Sequence, residues 1–270
     1  MNLINIIDEI EEVDNEIHER INPRRKALKD LFSFGSKAAV SSLPFALGGL
    51  FNKAYGQVPD SIIEVLNFAL SLEHLEYHYY DTALGMSNLI PSKDNISAIR
   101  NHERQHVKFL TDTITSSGGT PVGAVKYDFT AKGTFPDVFT NYKTFLTVAQ
   151  GFEDTGVRAY KGQAGNLKRS DAILQAALQI HSVEARHAAH IRFARRLAGF
   201  DPLVKPWIVG DDNTEGTPLE AIYHGEDQTR QVIFGIDNIN GYNVGNAATS
   251  SFDEPMSKDK VMKIVAPFFA

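Results

Sequence analysis

Cysteine is absent from this chain of 270 residues. That one absence excludes disulfides, thiolate-held zinc, iron–sulfur clusters and thiol nucleophiles. Positive charge is also short: 27 Lys and Arg stand against 33 Asp and Glu, a formal net charge of −6. A nucleic-acid surface needs clustered cations to neutralise phosphate, so no nucleic-acid partner is expected. A good membrane-crossing run is missing too. The apolar, small-residue stretch over residues 31–51 is broken by Lys37 and Pro44, so no stable membrane span is expected. What remains, 43% apolar and 22% charged, is the composition of a globular chain with a sizeable core rather than a disordered one.

The first twenty or so residues, Met1 to Ile21, mix apolar and acidic positions as an amphipathic helix does. Pro23, Arg24, Arg25, Lys26, Ala27, Leu28 and Lys29 follow, then the apolar stretch. An arginine pair before a mildly apolar run resembles a twin-arginine export signal. Its distance from the start and its moderate hydrophobicity fit helices packed on the protein body instead. Residues 1–56 are therefore read as an N-terminal helical segment with two expectations. One is a signal that sends the protein to the periplasm or beyond; the other is a packed segment of a cytoplasmic protein.

Residues 57–200 predict an all-α four-helix bundle. The first helix follows Asp60, with Ser61 and Glu64 in capping-box spacing, and runs to about Gly85. A second starts near Asp94 and stops at Ser116-Ser117-Gly118-Gly119. The third follows Pro136 and ends around Gly162 to Gly165. A fourth begins at Ser170, a good N-cap, and ends with Arg195, Arg196 and Gly199, cations at the negative pole and glycine at the stop. The link from Gly118 to Phe135 is longer than a helical hairpin needs and can cross the bundle's length.

The four helices carry an internal duplication. Leu66, Ala69, Glu73 and Tyr80 on the first repeat as Leu146, Ala149, Glu153 and Tyr160 on the third. Ile99, Glu103, His106 and Leu110 on the second repeat as Ile180, Glu184, His187 and Ile191 on the fourth. Each glutamate sits on the apolar stripe of its helix, so four carboxylates should converge inside the bundle. Buried carboxylates that close repel one another and lose their hydration, and something must compensate. Two divalent cations would. In Glu-x-x-His, residues three apart share a helix face and offer an oxygen and a nitrogen to one point. The chain has that pattern only at Glu103/His106 and Glu184/His187. One glutamate from each of two helices, with Glu-x-x-His from each of two others, is the ligand layout of ferritin-like di-iron and di-manganese bundles. The competing reading, acids satisfied by Arg100, Arg104, Arg186 or histidine, leaves the repeat unexplained.

The segments Leu66-Asn67-Phe68-Ala69-Leu70-Ser71-Leu72-Glu73, Glu103-x-x-His106, Gly151-Phe152-Glu153-Asp154 and Val183-Glu184-Ala185-Arg186-His187 resemble the bacterial ferritin-like domain family related to plant desiccation-related proteins. Phe252-Asp253-Glu254-Pro255-Met256 adds to the likeness, which covers roughly residues 57–270. The resemblance implies a rubrerythrin-like bundle binding two iron or manganese ions, and it favours export. The expected ligands are Glu73, Glu103, His106, Glu153, Glu184 and His187. Glu76 shares part of the Glu73 face but has Gly156 as its counterpart in the third helix, which favours Glu73. Tyr80 and Tyr160, two turns from the ligands, have three readings: hydrogen bonds to metal-bound carboxylates, a redox role, or ordinary core tyrosines. His102 and His181 are candidates to support the ligands from behind, and His190 to extend the site. His18, His74, His78 and His224 are read as surface or core polar residues.

Residues 201–270 read as a loop-rich C-terminal extension packed on the bundle. Val232-Ile233-Phe234 suggests a short hairpin, and Ser257 should cap a terminal helix over Lys258 to Val265. The acidic pairs Asp211-Asp212 and Glu226-Asp227 are expected in solvent. The functional expectation is a dinuclear iron or manganese protein acting on dioxygen or peroxide in stress protection, as an oxidase, peroxidase or catalase-like enzyme. The alternatives are a metal-binding or storage protein, or a structural stress protein, without turnover. The extension would encumber a ferritin cage; a homodimer is a candidate assembly.

Overall fold

The computed structural model describes residues 58–210, 218–228 and 249–270. The readings of residues 1–56, of Asp211-Asp212 and of the hairpin at Val232-Ile233-Phe234 lie outside the described residues.

Four long helices carry the fold: α1 (Asp60–Gly85), α2 (Asp94–Ser116), α3 (Tyr142–Ala164) and α4 (Asp171–Leu197). The capping box at Ser61 does not form. Pro59, with φ preset at −57°, takes the cap position, and its carbonyl accepts from Ile62 and Ile63. Helix α2 starts and stops where expected, with Gly118 at φ +83° beyond its end. The third helix begins later than the sequence suggests. Turns continue past Pro136, because the Asp137 carbonyl and carboxylate both take donors from Asn141. Asn141 is the cap instead, accepting from the Lys143 amide. Ser170 holds the cap position of α4, but its side chain makes no cap hydrogen bond.

The short links make α1 with α2, and α3 with α4, two hairpins packed along their lengths. Between them the crossover tucks Phe135 and Val138 into the core. It also meets the C-terminus: the Asp128 amide donates to the Phe268 carbonyl at 2.8 Å and the Ala270 amide to the Lys126 carbonyl at 3.1 Å. Among the described residues two short helices follow the bundle, α5 (Glu220–Tyr223) and α6 (Lys258–Val265), the latter capped by Ser257 as expected. Among the described residues no helix is long and apolar enough to cross a membrane.

Helix α3 is buried on every side from Val148 to Tyr160. Its inner stripe faces the bundle. Its outer face, Gln150, Asp154 and Arg158, meets the extension. Arg192 donates to Asp154 at 2.6 Å, the Tyr223 hydroxyl donates to the same carboxylate at 2.6 Å, and Gln150 donates to Tyr223 at 2.8 Å. Arg158 pairs with Glu226 at 2.7 Å and donates to the Glu254 carbonyl at 2.9 Å. Glu226, expected in solvent, is therefore fully buried, while Asp227 is exposed. Burial pushes the Glu226 carboxyl up to about 7 against the pull of Arg158. Gly162 is what lets the extension lie down: a Cβ there would sit 1.9 Å from the Met256 carbonyl oxygen.

Candidate metal centre

On each long helix the stripe that seeks the core carries a glutamate at mid-length, and on α1 Glu76 is buried as well. Apolar side chains flank the mid-length glutamate above and below. Glu73 lies between Ala69 and Tyr80, Glu103 between Ile99 and Leu110, Glu153 between Ala149 and Tyr160, and Glu184 between Ile180 and Ile191. All four glutamates are fully buried, and His106 and His187 nearly so. Helical spacing brings each histidine onto the same point as its glutamate.

The six side chains converge as two groups of four. Glu73, Glu103, His106 and Glu184 form one; Glu103, Glu153, Glu184 and His187 form the other. In each group one ligand atom per residue lies within 4.8 Å of all the rest. Glu103 and Glu184 belong to both groups. Both histidines aim Nδ1 inward. That of His106 is 3.0 Å from Glu73 and from Glu103 and 3.2 Å from Glu184. That of His187 is 2.8 Å from Glu103 and 3.4 Å from Glu153.

Several of these atoms are close without bonding. Both oxygens of Glu184, one each of Glu103 and Glu153, and Nδ1 of His187 have no hydrogen-bond partner in the protein. Buried polar atoms are ordinarily paired, and orphaning one costs about 1–3 kcal/mol. Carboxylate oxygens and imidazole nitrogens converging on shared points are a donor set for iron, manganese or zinc. The cluster is thus compatible with a dinuclear metal site.

Electrostatics agree. Burial raises the Glu73 carboxyl to about 7, with Glu103 adding to the shift and His106 opposing it. Glu184 and Glu153 are raised by burial and by neighbouring carboxylates. Glu103 is lowered, because His106 and His187 outweigh its own burial. The His187 imidazole reaches about 11 despite burial, held protonated by Glu153 and Glu103. His106 is raised by Glu73 and its neighbours, again against burial. Carboxylates crowded together out of water are the setting in which a bound cation would offset burial and mutual repulsion.

The surroundings hold the clustered side chains in place. Tyr80 on α1 donates to Glu153 on α3, and Tyr160 on α3 donates to Glu73 on α1, a reciprocal exchange across the bundle. Burial and the adjacent carboxylates raise both phenols well above their ordinary range, so they stay neutral donors. His102 Nδ1 lies 2.9 Å from His187 Nε2 and orients that ring from outside. His181 does not play the matching part: it packs against the α3 backbone at Val157. His190 is half-buried and falls in neither group. Glu76 is buried beside the cluster, also in neither group, and occupies the space that Gly156 leaves. Burial and then Glu184 push its carboxyl well up. The arginines stay outside: Arg100 pairs with Asp81 at the surface, and Arg104 and Arg186 are exposed.

Sequence reasoning missed the second buried network of Asp154, Arg158, Arg192, Tyr223 and Glu226. Nothing in the local pattern of α3 names Tyr223 and Glu226, the partners that cover its polar residues. Gly151 and Gly162 were the available signal, since a missing side chain marks where another segment approaches closely.

Comparison with known proteins now has a geometry to be set against. Residues 61–196 match a family described as a ferritin-like domain, a span that takes in all six converging side chains. No curated protein matches the chain.

Proposed function

The chain belongs to the ferritin-like domain family, and on that premise we propose that its buried cluster holds two divalent metal ions, iron or manganese, for redox chemistry on dioxygen or peroxide in stress protection. The observation that carries this reading is the sharing of Glu103 and Glu184 between the two groups of four. In the proposed site Glu73 with His106 would hold one ion and Glu153 with His187 the other, with Glu103 and Glu184 common to both. When bound, such a pair of ions supplies two reducing or oxidising equivalents at one place. The protein's own part is to hold the carboxylates aligned. Tyr80 and Tyr160 fix two of them, His102 fixes one imidazole, and the apolar layers on both sides exclude water.

Elemental analysis of the full chain and of Glu184→Ala tests the site. About two iron or manganese ions per chain are expected, with a loss of at least one in the variant, because Glu184 serves both positions. Metal retained at full stoichiometry in Glu184→Ala would sink the assignment. The alternative is a metal-binding or storage protein without turnover. It separates by an oxygen-electrode and peroxide-consumption assay: storage consumes oxidant once per loading, and an enzyme does so continuously.

A further inference from the structure

Beside the ligand layer, on the side of Ala69, Leu110, Tyr160 and Ile180, the core contains a cavity of about 20 Å³. Those four residues come one from each long helix, and each stands within two turns of a proposed ligand on its own helix. Tyr160 is the partition. Its ring lines the cavity and its hydroxyl bonds Glu73. Half-buried Val65, Phe109 and Ala177 line it on the outer side.

The walls are dry in a chemical sense. Of the few polar side chains among them, Thr113 donates to the Phe109 carbonyl at 2.7 Å, Gln163 accepts from Asn166 at 2.9 Å, and the Tyr160 hydroxyl is taken by Glu73. A water molecule needs two to four polar partners to be held and finds too few here. Hydrogen peroxide, a donor and acceptor at both ends, is disfavoured for the same reason. Apolar cavities of this kind stay empty of water and take up small apolar molecules such as xenon. The free space admits on the order of one such molecule and no alkyl chain.

We propose that this cavity is a binding pocket for an apolar diatomic molecule, and that it delivers dioxygen rather than peroxide to the proposed metal centre through the Tyr160 side of the ligand layer. The inference rests on the dinuclear reading given above. With iron, two ferrous ions lose one electron each and one dioxygen molecule gains both. With two protons it leaves as hydrogen peroxide. The cavity supplies the oxidant and the carboxylate layer supplies the reductant.

The pocket itself is tested without metal. Saturable binding of xenon to the metal-free full chain, followed by the xenon NMR shift, is expected in the native protein and absent in Ala69→Val, whose two added methyl groups take up the space. Iron-loaded Ala69→Val should then keep its metal, oxidise ferrous iron with dioxygen about tenfold more slowly, and react with hydrogen peroxide at the native rate. Ala177→Leu, at the outer wall, gives the same contrast if Ala69→Val does not fold. A native chain that binds no xenon overturns the pocket. Xenon lost with the dioxygen rate unchanged, or both oxidants slowed alike, overturns its role while leaving the metal site standing. A chain that takes up no iron removes the dinuclear reading and the role with it.

Discussion

The two halves of the bundle core come from the same duplicated hairpin and are filled in opposite ways. On the Tyr80 side the core is aromatic. Tyr79 stacks on Phe145 with ring centres 5.2 Å apart and meets Phe152 and Phe129 edge-on at 5.0 and 5.3 Å. Phe135 and the terminal Phe268 close that side. On the Tyr160 side the filling is aliphatic: Leu66, Ala69, Leu110, Ile173 and Ile180 surround the cavity. The difference teaches what a duplication constrains. Four carboxylates must meet at one height, so their spacing is shared by both copies. The layers above and below need only fill volume, and volume can be filled in many ways.

The largest effect that would sharpen this contrast is in the packing. Phe145→Ala should cost about 3–5 kcal/mol, because the ring is fully buried among others that cannot collapse. Leu66→Ala opens onto existing free space and should fall nearer the low end, about 2–3 kcal/mol. Equal losses in chemical denaturation would break the distinction between the halves.

Next in size is the pH response of the ligand layer that divides them. Glu73 is raised from its ordinary value of 4.5 to about 7, so the folded metal-free chain holds a proton that the unfolded chain releases. Its contribution is full below 4.5 and is lost as pH rises through about 7, on the order of a few kcal/mol. Raised Glu76, Glu153 and Glu184 push the same way, and lowered Glu103 opposes them. Metal needs the carboxylates free of protons, so the loaded protein should gain stability over that same window. Melting curves with and without metal should therefore diverge towards neutral pH. A metal-free Tm that rises between pH 4.5 and 7 would contradict the raised Glu73.

Smallest is the effect at the two tyrosines. Tyr80→Phe and Tyr160→Phe each remove one hydroxyl bond to a carboxylate, worth about 1.5–3 kcal/mol. If the ligand layer keeps the symmetry that its flanking layers have lost, the two variants should lose similar stability and similar metal affinity. A several-fold difference in metal affinity, measured by competition with a chelator, would show that the asymmetry reaches the ligands.

Much of this was legible in the residues. Periodicity placed α2 and α4 to within a residue or two, and the duplicated spacing singled out all six side chains that converge. The capping box was misread because proline at position 59 had already claimed the helix start. The late start of α3 was missed because side chain and carbonyl of Asp137 compete locally for the chain. Glu76 shows a subtler limit. Its helical phase marked it as half-facing, yet it is buried, where a Cβ on Gly156 of another helix would stand 3.3 Å from its carboxyl oxygen.

Helix faces and the spacing of the converging glutamates and histidines follow from neighbours three or four residues apart, and the sequence alone determined them. The tertiary structure decided which polar face is buried, which glycine admits a backbone, and where free space remains. Gln150, Asp154 and Arg158 look like a solvated face until Tyr223 and Glu226, some seventy residues away, arrive to meet them. Burial is a property of whatever packs opposite, and no local pattern contains that partner.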